Sequence, residues 1–137
     1  MHTTADMARA VMEGIQYSLT DCNDIIKEMG IEVSEMMACG GGAKNAVQRQ
    51  MMADMFGCDV KTVTATEGPA LGVAILAGVG AGLYESVESA CRQMIHTDPA
   101  QECHADPKAT AEYDKYRQIY KNLYTCLKDQ FQELAKL

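Results

Sequence analysis

Apolar positions at Met7, Val11, Ile15, Cys22, Ile26 and Met29 fall at helical intervals, so a helix is predicted from Thr4 to Met29. Thr4 is placed to cap it, Asp6 suits its first turn, and Gly30 suits the position just past its end. The pattern then shortens. Glu35–Cys39 reads as a short buried strand that runs directly into glycines. Lys44–Phe56 returns to helical spacing, with Val47, Met51 and Met55 on one face and Gly57 as its stop. Cys58–Ala65 is rich in Val and Thr and predicts a second strand.

After it, Glu67-Gly68-Pro69 opens a helix over Ala70–Ala81, with Pro69 in the first helical position and Gly82 as terminator. This helix is crowded with small residues, each glycine costing roughly 1 kcal/mol relative to alanine. Another backbone packed very close against it is the expected compensation. Ser86 predicts the start of a short helix that turns Val87, Ala90, Cys91 and Met94 inward, and residues 96–106 read as irregular. Asp106-Pro107 then signals a long helix striped by Tyr113, Tyr116, Tyr120, Leu123, Leu127, Phe131 and Leu134. Two strands cannot cover so many helices, so the sheet is expected to be incomplete, with part of the fold lying before residue 1.

The chain has 137 residues, enough for one domain, and its 47% hydrophobic content allows a buried core. A net charge of −7 argues against nucleic acid and anionic membrane surfaces as partners. The apolar stretch from Gly68 to Leu83 is shorter than the roughly 18–20 residues a membrane span needs. Six scattered cysteines, with no CxxC or Cys/His ligand spacing and no leader pattern, point to a reducing cytoplasm and to no metal site.

The chemistry concentrates in MMACGGGAKNAVQRQMMAD, where a strand meets Gly40-Gly41-Gly42-Ala43 and a helix follows at once. Glycines let a ligand approach the main chain, and a helix N-terminus offers free N–H groups and partial positive charge. The stretch suits an adenosine or phosphate group, and equally a tight turn that holds nothing. It is no P-loop, because the GxxxxGK[ST] spacing is absent, and no GxGxxG fingerprint.

GGGAKN with Gln50 and Ala53-Asp54, followed by EGPALGVAILAGVGAGLY and a Ser-Val-Glu-Ser-Ala helix, resembles the C-terminal lobe of the FGGY carbohydrate kinases, and among them the xylulokinases. ARAVMEGIQYSLTD resembles the family's helix before the adenosine motif, and YDKYRQIYKNLYTCLKDQF its terminal helix, so the likeness spans the chain.

The resemblance implies an α/β fold: a partial actin-like ATPase lobe of the ribonuclease H-like, hexokinase/actin superfamily, helix-rich with a short incomplete sheet. Residues 1–137 would be the C-terminal part of the nucleotide-binding lobe, without the sugar-binding lobe and the start of this one. It further implies ATP with Mg²⁺ as cofactors and phosphorylation of D-xylulose as the parent reaction. Gly40, Gly41 and Gly42 would lie against adenosine, Asn45 would reach the adenine unless it only caps a helix, and Lys44 joins the cofactor-binding set at a position that varies within the family. The catalytic aspartate, the magnesium ligands and the sugar contacts are expected upstream, so the chain alone is expected to be inactive. Asp21, Asp24, Asp54, Asp114 and Asp129 read as structural or solvated. The rival expectation is a small interaction protein, or a homodimer that completes its sheet with a second chain.

Overall fold

The computed structural model describes residues 1–64 and 68–137. In order it contains α1 (Thr4–Glu28), β1 (Glu35–Ala38), a 3-10 turn (Gly42–Lys44), α2 (Ala46–Phe56), β2 (Asp59–Thr62), α3 (Gly68–Gly80), α4 (Val87–Met94), a second 3-10 turn (Pro99–Gln101) and α5 (Pro107–Leu134). The expected class is met: helix-rich α/β with a short sheet. The chain divides into two compact units, one of residues 1–32, 54–57 and 105–137, the other of residues 33–53 and 58–104.

The first unit is helical. Its N-cap is Thr3 and not Thr4: the Thr3 hydroxyl accepts from Asp6 N while the Asp6 carboxylate accepts from Thr3 N at 2.7 Å, a capping box that closes one residue early. Hydrogen bonding to Thr3 also holds the Asp6 carboxyl below its usual pKa. The helix ends where expected, on Gly30 at φ +80°, with Gly30 N bonded to Lys27 O and Ile31 N to Ile26 O. That is the Schellman arrangement, and its left-handed residue is cheapest as glycine. Asp106 caps α5 by accepting from Lys108 N at 2.9 Å, with Pro107 in the first turn as predicted.

The packing overturns the expected apolar seam. The residues of α1 that are buried are Gln16, Tyr17, Thr20 and Asn23, while Met7, Val11, Ile15, Ile26 and Met29 are exposed. On α5 no residue is fully buried, and Tyr116, Leu123, Leu127, Phe131 and Leu134 stand in the open. The two helices meet through polar and aromatic groups instead. Tyr17 stacks on Tyr120 with ring centres 5.1 Å apart and donates its hydroxyl to Tyr113 O at 3.2 Å. Arg117 donates to Thr20 O at 3.0 Å and pairs with Asp24, which also takes Lys121 at 2.6 Å.

The second unit holds the sheet. β1 and β2 are parallel, with Met36 beside Val60 and Ala38 beside Thr62. Parallel neighbours need a long crossover, and α2 supplies it. Ala38, Ala43, Ala53 and Val60 form the core, with Met36, Met52 and Cys103 packed on it. The strand predicted over Glu35–Cys39 is shorter and only partly buried, because Met37 points to solvent at 48% exposure. The prediction for the second strand ran to Ala65, which lies outside the described residues, as does Glu67.

Two expectations about α3 change. Gly68 is already helical, so Pro69 is its second residue, which is as permissive because those N–H groups are free in either case. No close backbone compensates its glycines among the described residues. At Gly78 the neighbour is the Tyr84 ring, which a Cβ would meet at 2.8 Å, and at Gly72 and Gly80 there is nothing within 4 Å. Ser86 caps α4 as predicted, accepting from Ser89 N at 3.1 Å, but of its four expected inward residues only Ala90 is fully buried and Val87 is exposed.

Candidate functional site

Both strands of the parallel pair deliver their C-terminal ends to the same place, where open α/β sheets generally receive ligands. β1 leads through Cys39 to Gly40, which takes φ +78°, a left-handed turn that favours glycine. Gly41 follows in helical geometry, and Lys44 N bonds back to Gly41 O at 3.2 Å to close the 3-10 turn. Beside this turn lies a hollow of about 250 Å³, lined by residues 38–40, 43–44, 62–64, 98 and 101.

Of the predicted residues, Gly40 and Lys44 border the hollow, whereas Gly41, Gly42 and Asn45 sit on the turn outside its lining. A Cβ placed on Gly40 or Gly41 would meet nothing within 4 Å, and one on Gly42 would touch only the Gln48 side chain at 3.6 Å. The turn is therefore open and not plugged by packed side chains. Asn45 takes the capping role: its Oδ1 accepts from Val47 N at 2.9 Å and Gln48 N at 3.4 Å. Arg49 braces the turn from beneath, donating to Ala43 O at 2.7 Å.

Sequence reading missed the opposite wall. Thr62, Thr64, Asp98 and Gln101 come from residues that are remote along the chain. Asp98 N donates to Thr62 O at 3.1 Å, which anchors the second 3-10 turn against β2, and Asp98 then caps that turn through Ala100 N at 3.0 Å. The Asp98-Pro99 pair was a legible capping signal; its closeness to the glycines was not. Thr62 is 4% exposed, and its Oγ1 has no hydrogen-bond partner among the described residues. The hollow is thus bordered by Lys44 and the glycine turn on one side and by the second 3-10 turn on the other, with the unpartnered Thr62 hydroxyl buried beneath its surface.

Two of the aspartates are engaged in bonds that hold the fold. Asp24 is tied to Arg117 and Lys121, and Asp54 Oδ1 accepts from Asp106 N at 2.9 Å. Burial raises the Asp24 pKa, but hydrogen bonds from Lys121 and Arg117 together outweigh it and leave the group below its ordinary value. Among the described residues no helix is long and apolar enough to cross a membrane.

Residues 1–81 match the description FGGY family of carbohydrate kinases, C-terminal domain. The chain is 38% identical over 123 residues to a xylulose kinase of Staphylococcus epidermidis, covering 90% of this chain and 24% of that protein. It is 38% identical over 130 residues to a xylulose kinase of Bacillus subtilis, covering 93% of this chain and 25% of that one. Among solved structures, the ligand-bound xylulose kinase of Lactobacillus acidophilus superposes with a TM-score of 0.85 at 27% identity, over 98% of this chain and 27% of that chain. The chain therefore spans about a quarter of the length of the curated relatives it matches.

Proposed function

Given that the chain belongs to the FGGY family of carbohydrate kinases, as a C-terminal domain with the actin-like fold of its structural neighbours, we propose that it holds the nucleotide of a xylulokinase-like sugar kinase. The parent reaction is phosphoryl transfer from ATP to D-xylulose, giving ADP and D-xylulose 5-phosphate, in the cytoplasm. Bound ATP supplies the transferable group, and its Mg²⁺ offsets the charge that develops on the phosphates.

One observation carries this reading: the hollow at the strand ends is walled by the Gly40 turn and by Lys44. Gly40 at the edge of the hollow and Gly41 next to it on the turn present bare main chain, with open space where a side chain would grow. Lys44 lends positive charge to an otherwise acidic protein. Asn45 caps α2 with Oδ1, so the same residue keeps its Nδ2 for a purine nitrogen; capping and adenine contact are compatible. Thr62 adds a hydroxyl that a polar ligand could satisfy after a small rotation. Sugar contacts, catalytic carboxylate and magnesium ligands are assigned to the remainder of the parent protein, since Asp24 and Asp54 are committed to structural bonds.

Titration of isotopically labelled chain with ADP tests the site. The largest amide shifts are expected at Gly40, Gly41 and Lys44; shifts confined to the Tyr17–Tyr113 region would refute it. A coupled assay with xylulose and Mg-ATP is expected to read background turnover for this chain alone.

A second reading, self-association, is favoured by the exposed Val11, Ile15, Leu123 and Leu127 and by β1, which among the described residues pairs with β2 alone. Light scattering decides it, because a monomer at high concentration leaves no room for strand completion in trans.

A further inference from the structure

Outside the hollow, an antiparallel bridge joins Val60 of β2 to Cys103. Val60 N donates to Cys103 O and Cys103 N to Val60 O, both at 2.9 Å. In such a pair the flanking residues lie across from one another, on the face opposite the bridge side chains. Val60 is fully buried and Cys103 packs on the same core, so Asp59 and Lys61 on one side, and Glu102 and His104 on the other, turn outward. His104 Nδ1 comes to 3.0 Å from Asp59 Oδ2, and the donor atoms of Asp59, Glu102 and His104 all lie within 4.8 Å of one another. Gln50 Nε2 fixes the backbone of this corner by donating to His104 O at 2.8 Å. Lys61 pairs with Glu35 at 2.6 Å, and the charges of Glu102 and Asp59 lie close enough to add to the rise in its pKa, so the two carboxylates stand beside the imidazole with their nearby lysine already engaged elsewhere.

We infer that Asp59, Glu102 and His104 bind a divalent transition-metal cation of the zinc class. One imidazole with two carboxylates favours Zn²⁺, Co²⁺ or Ni²⁺ over Mg²⁺ and Ca²⁺, which prefer all-oxygen shells. Tetrahedral zinc with bonds of about 2.0–2.2 Å sets its donors roughly 3.3 Å apart, so modest side-chain rotation closes the set. The cation replaces the direct His104–Asp59 contact with a bond to each side chain, and water fills the fourth position. The cation would clamp residues 102–104 onto β2, and so steady the Asp98 and Gln101 wall of the hollow. Sequence spacing hid the set, since Asp59 and His104 meet only through the bridge.

Cobalt titration of the full, cysteine-reduced chain tests this. The expected result is one Co²⁺ per chain with a weak visible band and no thiolate charge-transfer absorption. His104→Gln and Glu102→Gln should each weaken binding roughly tenfold or more while circular dichroism stays unchanged, and His96→Gln should bind as the parent. Equal affinity in His104→Gln, a thiolate–cobalt band, or no binding up to about 1 mM metal, a free energy near 4 kcal/mol, would overturn the assignment.

Discussion

The two units of this chain solve the same packing problem in opposite ways. In the sheet unit the interior is small and apolar: Ala38, Ala43, Ala53 and Val60 form it, Met36, Met52 and Cys103 pack on it, and Met51 of α2 is buried at 2% exposure. In the helical unit the seam between two long helices is made of tyrosines, an arginine, a lysine and an aspartate, while the apolar stripes face away. Hydrophobic periodicity finds a stripe but cannot say whether this chain contains its partner. A stripe left exposed on a quarter-length relative of larger kinases is understandable if the rest of such a protein covers it.

Substitutions turn that contrast into numbers. Met51→Ala should cost about 2–5 kcal/mol in urea unfolding, because the cavity is enclosed on all sides. A loss below about 1 kcal/mol would mean that the sheet unit is loosely packed. Asp24→Asn should cost about 1–2 kcal/mol, since it leaves Arg117 and Lys121 facing a neutral amide in a half-buried place. The depressed Asp24 pKa also fixes a sign. Its contribution is present above the unfolded value near pH 4 and fades as pH falls through the lower folded value, so the acid limb of a pH–stability curve should shrink in the variant.

Tyr17→Phe should cost about 1 kcal/mol through the lost bond to Tyr113 O. Burial, reinforced by the nearby Glu13 charge, pushes the Tyr17 phenol up to about 12. Its contribution is therefore complete below about pH 10 and lost as pH rises through about 12, an alkaline limb that Tyr17→Phe should remove. Smallest of all, Ile15→Ala on the outward stripe should change stability by no more than about 0.5 kcal/mol, and a loss comparable to Met51→Ala would show that the stripe is covered in solution.

Much of this architecture could be read from residue order. Helix ends announced themselves through Gly30, Ser86 and Asp106-Pro107, because capping chemistry is local. The glycine turn was legible for the same reason: a strand entering three glycines before a helix leaves few conformations open. Long-range placement was not legible. Thr62, Asp98 and Gln101 reach the hollow only because β1 and β2 run parallel and a remote 3-10 turn docks on the second strand. The buried face of α1 was misassigned because Gln16, Thr20 and Asn23 look solvent-facing until Arg117 and the tyrosines of α5 are set beside them.

Calorimetric titration of ADP into the parent chain and into Gly41→Val is the most direct test of the proposed nucleotide site. Gly41 has ordinary helical angles and open space where a side chain would grow, so the substitution spares the fold and obstructs only what rests on the turn. Measurable binding by the parent with loss of roughly tenfold or more in the variant is expected, a change of about 1.4 kcal/mol. Equal affinities in two equally folded proteins would contradict the account and move the nucleotide elsewhere.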